Sequence, residues 1–133
     1  MSASFPHITA IYAALLGLMM ASLGSLVVRQ RFKQQVSLMD NGKLVLREAI
    51  RRHGNFSEYV PLALVLIGLV ELGGARAWLV HLLGCGLLVA RLLHACGIKA
   101  TRGATFGRVS GILITYTVFV ITSLWLLWAT IIT

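Results

Sequence analysis

Four long apolar segments alternate with short polar segments along the chain. The pattern predicts membrane-spanning helices over Ile8–Val28, Phe56–Leu72, Ala77–Ile98 and Val109–Thr133. About 20 apolar residues cross the hydrocarbon core of a bilayer, and the first and last segments carry no charge. The second is short, so its helix is expected to begin earlier, near Leu44. Residues 1–133 therefore read as one all-α membrane domain, a four-helix bundle.

Composition supports a membrane protein and excludes several kinds of site. The chain is 58% hydrophobic and 12% charged, whereas roughly a quarter of the residues of a soluble domain are charged. Cys85 and Cys96 both lie in apolar runs, which favours neither a disulfide nor a metal site. The sequence contains no CxxC, HExxH or glycine-rich phosphate loop. We expect no metal centre.

Positive charge is concentrated in two of the polar segments. Seven of the twelve basic residues fall between Arg29 and Arg52, and the second group is Lys99, Arg102 and Arg108. A nucleic-acid-binding domain would spread such residues over one soluble face, so no nucleic-acid partner is expected. Basic loops beside spans remain in the cytoplasm, which predicts that both termini lie outside. In a bacterium the chain would lie in the inner membrane.

The stretch RRHGNFSEYVPLALVL at residues 51–66 places a polar cluster at the start of the second span. Arg51, Asn55 and Glu58 are spaced i, i+4, i+7 and share one helical face. An unpaired carboxylate at membrane depth is costly, so Glu58 is expected to face the interior and meet a cation. A buried ion pair and a binding site for a small charged molecule both explain the cluster.

A second polar stripe lies on the third span. Arg91, His94 and Ile98 are spaced i, i+3, i+7. An arginine inside a span requires a partner, and Glu58 is the best candidate if the second and third helices are antiparallel neighbours. Glu48 and Arg52, spaced i, i+4, are expected to form an exposed ion pair on another face.

Small residues indicate where helices approach one another closely. The first span carries four of them at intervals of four: Ala13, Gly17, Ala21 and Ser25. Such a stripe packs either against another subunit or within one bundle. Gly73-Gly74 predicts a helix end and a tight turn, and Gly84 and Gly86 suggest close packing of the third helix.

These motifs resemble those of a known family. RRHGNFSEYVPLAL is similar to the signature of the MAPEG family, the membrane-associated proteins in eicosanoid and glutathione metabolism, with Arg51, Asn55, Glu58, Tyr59 and Pro61 at the matching positions. VARLLHACG at residues 89–97 resembles the motif on the family's third helix. Length, four spans and the basic first loop also fit, so the resemblance covers essentially the whole chain.

The resemblance implies a homotrimer that binds glutathione between neighbouring subunits near the cytoplasmic face. The implied activity is that of a glutathione transferase or peroxidase acting on lipophilic electrophiles from the bilayer. The glutathione-binding residues carried over are Arg29, Arg51, Asn55, Glu58, Tyr59, Arg91 and His94. Arg108 matches the catalytic arginine, with Arg102 as the second choice, and His53 matches a histidine of some members. Two positions depart from the family, Gly54 and Ile98, where arginine and tyrosine are common.

The chemistry of glutathione suits this set of side chains. Arginines bind its two carboxylates through charge-assisted hydrogen bonds. Glu58 complements the ammonium group, Asn55 the peptide groups, and a guanidinium stabilises the thiolate. Two other functions remain open: a non-catalytic glutathione- or lipid-binding protein, and a small exporter of drug cations in which Glu58 would carry protons.

Overall fold

The computed structural model describes residues 5–99 and 103–132, and in these ranges it contains four helices. They are α1 (His7–Gln34), α2 (Leu44–Leu72), α3 (Ala77–Gly97) and α4 (Phe106–Ile132). Each is long and apolar enough to cross a membrane, which confirms the all-α, four-span prediction. Helix α2 begins at Leu44, as expected. Helix α1 continues past Val28, and α4 begins before Val109, so Arg29 and Arg108 both lie on helices.

Helices α2 and α3 form the middle of the bundle. Each contacts the other and also both outer helices, while α1 and α4 do not touch within the described residues. The buried apolar core comes mainly from the two central helices and consists of Leu16, Leu23, Phe56, Val60, Ala63, Ile67, Val70, Val80, Leu83, Leu87 and Val118. This arrangement places the polar stripes of α2 and α3 next to each other at the end of the bundle that carries most of the basic residues, called here the basic end.

At the opposite end, a carboxylate from α2 caps α1. Pro6, the N-cap residue of α1, provides no side-chain hydrogen bond. The backbone amides of Ile8 and Thr9 instead donate to the two carboxylate oxygens of Glu71, at 2.9 and 2.7 Å. A negative group satisfies amides that have no partner at a helix N-terminus and complements the helix dipole. The adjacent Gly73-Gly74 turn is confirmed, with Gly74 at φ +85°.

Three glycines bring α3 and α4 into backbone contact at the basic end. A Cβ at Gly97 would lie 2.3 Å from the Arg108 nitrogen, and one at Gly107 would lie 2.8 Å from the Leu93 oxygen. At Gly111 it would lie 2.5 Å from the Ala90 oxygen. Gly107 and Gly111 have the GxxxG spacing typical of close helix pairs in membranes. This motif was not among the predictions from the sequence.

The predictions about small residues on α1 and α3 have mixed outcomes. A Cβ at Gly84 would lie 2.2 Å from the Tyr12 ring, whereas one at Gly86 would make ordinary contacts at 3.9 Å. Close packing is therefore confirmed at Gly84 and not at Gly86. On α1, Gly17, Ala21 and Ser25 are exposed, so most of the small-residue stripe is not used to pack the bundle.

Candidate functional site

A polar cleft opens at the basic end between α2, α3 and α4. It has a volume of about 240 Å³ and is lined by Arg47, Glu48, Arg51, Asn55, His94, Ile98, Lys99, Arg108 and Ile112. Four of the residues predicted from the sequence are among them: Arg51, Asn55, His94 and Arg108. The four residues span more than fifty positions of the chain, and α2, α3 and α4 bring their side chains together.

Arg91 lies behind the cleft, with only 1% of its surface exposed. Its guanidinium donates to Asn55 Oδ1 at 2.9 Å, to the Gly111 carbonyl at 3.1 Å and to Thr115 Oγ1 at 2.5 Å. The guanidinium carbon also lies 5.6 Å from the centre of the Tyr59 ring, a distance at which a cation is attracted to the ring face. Arg91 therefore joins α2, α3 and α4 at one point.

The expected ion pair between Arg91 and Glu58 is wrong. Glu58 is exposed and forms no ion pair within residues 5–99 and 103–132. Neutral oxygens accept from the two terminal nitrogens of the guanidinium instead, and they stabilise it without the cost of removing a second charge from water. Glu58 was also expected to face the interior, and within a single chain this is wrong because its side chain is exposed.

Asn55 and His94 form the inner wall of the cleft and are both buried. Because Arg91 donates to the amide oxygen of Asn55, the amide nitrogen remains the hydrogen-bond donor on this wall. His94 packs against α4, where a Cβ at Gly111 would lie 2.8 Å from the His94 nitrogen and Cβ atoms. The close contact at Gly111 therefore holds His94 against α4.

The cleft carries an excess of positive charge. Among the described residues, four cations line it, Arg47, Arg51, Lys99 and Arg108, against one carboxylate, Glu48. That carboxylate pairs with Arg52 at 3.1 Å, as the sequence predicted, although the pair is half-buried. At the rim, Arg47 donates to Asp40. This bond and the Gly42 amide lower the pKa of Asp40 below its ordinary value. Such a cleft favours an anionic ligand.

The remaining predicted site residues lie outside the cleft of a single chain. Arg29 and Glu58 are exposed, and the hydroxyl of Tyr59 lies 3.1 Å from that of Tyr116. His53 packs beside Gly24 of α1 instead of entering the cleft. Arg102 lies outside the described residues.

Sequence reasoning missed several residues that build the site. Arg47 extends the stripe of Arg51 and Asn55, but it was not assigned to the site, and Lys99 was counted only as a loop charge. On α4, Gly111 and Thr115 supply two of the three hydrogen-bond acceptors of Arg91. The intervals of four that join Gly107, Gly111 and Thr115 on a mostly apolar helix were the available signal.

Comparison with known proteins places the chain in a family. The model of the MAPEG family matches residues 9–129. The inner membrane protein YecN of Escherichia coli K12 is 42% identical over 90 residues, which cover 68% of this chain and 69% of that relative. The protein of the same name from Escherichia coli O6:H1 is equally similar. No solved structure matches significantly. Since the family model matches nearly the whole chain and the motifs on α2 and α3 lie where the cleft forms, the chain belongs to the MAPEG family.

Proposed function

We propose that this chain is a glutathione-dependent membrane enzyme that joins glutathione, through its sulfur, to lipophilic electrophiles. One observation carries the proposal: Arg51, Asn55, His94 and Arg108 converge on a single positively charged cleft, with the buried charge of Arg91 behind it. The proposal rests on this geometry and on membership of a family that includes glutathione transferases. The relatives named above are described only as inner membrane proteins.

The cleft matches the charges of glutathione. The tripeptide carries two carboxylates, and guanidinium groups bind carboxylates through two parallel hydrogen bonds. Arg51 at the wall and Arg47 at the rim are placed to do this, and the amide nitrogen of Asn55 would donate to a peptide carbonyl. The ammonium group requires an anion, and Glu58 is the predicted residue.

Arg108 is proposed to activate the thiol. A free cysteine thiol has a pKa of about 8.5, and the thiolate is the reactive species. The Arg108 guanidinium lines the cleft at the first turn of α4, where it would stabilise the thiolate over the thiol. The thiolate then attacks an electrophilic carbon, a carbon–sulfur bond forms, and the leaving group departs with its electron pair.

We propose that the site is completed by a neighbouring copy in a homotrimer. The cleft of one chain, about 240 Å³, is smaller than the roughly 300–1,000 Å³ of ordinary ligand pockets. Glu58 and Arg29 remain exposed outside it, as does most of the small-residue stripe on α1. A second copy packed on these surfaces would cover the Glu58 carboxylate and enlarge the cleft.

We further propose that the chain is an integral protein of the inner membrane, with the basic end in the cytoplasm. The name of the E. coli relatives supports the location, and the distribution of basic residues supports the orientation. The cleft would then meet cytoplasmic glutathione at the level where the bilayer supplies the lipophilic electrophile.

Calorimetry with glutathione and detergent-solubilised protein tests binding. We expect Arg51→Ala and Glu58→Gln each to weaken affinity about tenfold or more, because a hydrogen bond to a charged group contributes roughly 1.5–3 kcal/mol. Lys43→Ala, which removes a positive charge at the same end but outside the cleft, is the control. Unchanged affinity in both site variants would show that the stripe does not bind glutathione.

Conjugation of 1-chloro-2,4-dinitrobenzene, followed by absorbance, tests catalysis in the same preparations. An enzyme shows glutathione-dependent turnover that falls in the Arg51 and Glu58 variants. Binding without turnover across several electrophiles would instead identify a non-catalytic glutathione-binding protein. Light scattering of each variant gives the number of copies in the assembly, which separates lost binding from lost assembly.

A further inference from the structure

A second groove, largely apolar, lies between α1 and α3 at the basic end. It has a volume of about 390 Å³. The residues of α1 and α3 that line it are Met19, Leu23, Leu26, Leu92, Ala95 and Cys96. Leu26 and Leu92 are 40% and 49% exposed, so the groove is open along the side of the bundle. Met19 and Leu26 are seven residues apart, about 10 Å along a helix, so the groove runs parallel to α1 over about this distance.

Two cations stand at the mouth of this groove. Arg52 is held in place because one of its terminal nitrogens donates to Glu48 at 3.1 Å and to the Ile98 carbonyl at 2.9 Å. Lys99 is exposed and has no hydrogen bond or ion pair to the described part of the chain. Apart from Glu48, which pairs with Arg52, no carboxylate of the described residues lies at the groove. The groove therefore has an apolar body formed by α1 and α3 and two cations at its mouth, Arg52 of α2 and Lys99 just after α3.

We propose that this groove binds an anionic phospholipid, with one acyl chain along α1 and α3 and the phosphate at Arg52 and Lys99. The groove has the polarity of such a lipid: apolar within the span and positive where the span ends. Basic residues at this level attract anionic headgroups. A second copy of the chain fits poorly here, because its own basic end would meet the two cations and repel them. Lys99 also lines the cleft, so lipid binding is measured without glutathione.

Native mass spectrometry of the full-length protein in detergent tests this site. Dioleoyl phosphatidylglycerol and the zwitterionic dioleoyl phosphatidylcholine are titrated separately. The wild type is expected to bind phosphatidylglycerol more tightly. Lys99→Gln is expected to weaken that binding about fivefold, the usual contribution of one basic residue near an anionic headgroup. Lys43→Gln, the matched control outside the groove, is expected to leave it unchanged.

Two further measurements locate the lipid. Ala95→Phe fills the groove and is expected to abolish phosphatidylglycerol binding. In the wild type, phosphatidylglycerol is expected to slow alkylation of Cys96 and not of Cys85, because Cys96 lines the groove and Cys85 lies eleven residues away, about 16 Å along α3. Both cysteines are exposed without lipid, so each serves as a reference for the other. If Ala95→Phe fails to assemble, Lys99→Gln and the Cys96 protection still decide.

Three results would overturn the proposal. Equal binding of the two lipids would show that Arg52 and Lys99 do not select an anionic headgroup. An equal loss in Lys43→Gln and Lys99→Gln would show diffuse attraction to the basic end. Shielding of Cys96 in lipid-free protein, with thiol cross-links that join two copies through it, would show that a second copy of the chain covers the groove.

Discussion

Arg91 shows how a guanidinium can be kept inside an apolar bundle without a carboxylate. Its hydrogen bonds go to an amide, a backbone carbonyl and a hydroxyl, and its guanidinium carbon lies 5.6 Å from the centre of the Tyr59 ring. These groups are dipoles, so they stabilise the cation without cancelling its charge. The positive field of Arg91 therefore persists behind the cleft, where it adds to those of Arg51 and Arg108 in attracting an anion.

At the residue scale, the sharpest prediction concerns Arg108. Removing a cation that stabilises the thiolate raises the pKa of the bound thiol, so Arg108→Ala should move the pH midpoint of conjugation upward by about one unit, which corresponds to about 1.4 kcal/mol. Activity at neutral pH falls and recovers at higher pH. The ultraviolet thiolate signal, titrated with saturating glutathione, measures the midpoint directly.

Two further variants provide the control for this prediction and the test of Arg102 as the catalytic arginine. Lys43→Ala should leave the midpoint in place, because Lys43 lies outside the cleft. If Arg102→Ala moves the midpoint and Arg108→Ala does not, the catalytic role belongs to Arg102. If neither moves it, thiolate activation by Arg102 or Arg108 is excluded. A change in expression or assembly alone would identify Arg108 as an interfacial anchor.

At the scale of elements, the contact between α3 and α4 depends on glycine. A Cβ at Gly111 would overlap the Ala90 oxygen and the His94 backbone, so Gly111→Ala should force the helices apart and strain the bond from Arg91 to the Gly111 carbonyl. We expect a loss of about 1–3 kcal/mol in the free energy of unfolding, measured by thermal unfolding in detergent. Gly86→Ala is the control, since its Cβ has room and alanine favours the helix by up to about 1 kcal/mol. Similar stability in both variants would contradict the close contact.

The cap that Glu71 provides for α1 gives a second prediction about elements. Glu71→Ala leaves the amides of Ile8 and Thr9 without their acceptors and should lower the free energy of unfolding by about 1–2 kcal/mol. Glu71→Gln should cost less, because its amide oxygen still accepts a hydrogen bond. Arg76→Gln, which removes a charge at the same end, should have little effect. Hydrogen exchange at the start of α1 is the local measurement, and equal protection in wild type and Glu71→Ala would exclude the cap.

For the whole molecule, the orientation in the membrane can be tested with reporter fusions. Ten basic residues lie toward the ends of the spans that form the basic end, and only Arg76 lies in the connection at the other end. In a bacterial host, a reporter after residue 133 should therefore be active in the periplasm, and one after Lys43 in the cytoplasm. A cytoplasmic reporter signal at residue 133 would move the cleft away from cytoplasmic glutathione and contradict the proposed function as well.

The sequence by itself determined where the helices lie and which side chains share a helical face. Runs of about 20 apolar residues have few alternatives in lipid, because every backbone amide and carbonyl must be satisfied within the segment. The i, i+4, i+7 spacing fixed that Arg51 and Asn55 share a face, and the motifs around them indicated the family. The start of α2 near Leu44 and the Glu48–Arg52 pair also followed from local spacing.

Only the tertiary structure decided which groups meet across helices. Helical periodicity gives the face of a side chain but not the distance or rotation of the neighbouring helix, so the sequence suggested that Arg91 would pair with the available carboxylate of Glu58. Gly97, Gly107 and Gly111 bring α4 so close that Thr115 and a backbone carbonyl reach Arg91 first. The capping of α1 by Glu71 has the same origin, since the two partners are 62 and 63 positions apart and the packing of α1 on α2 alone brings them together.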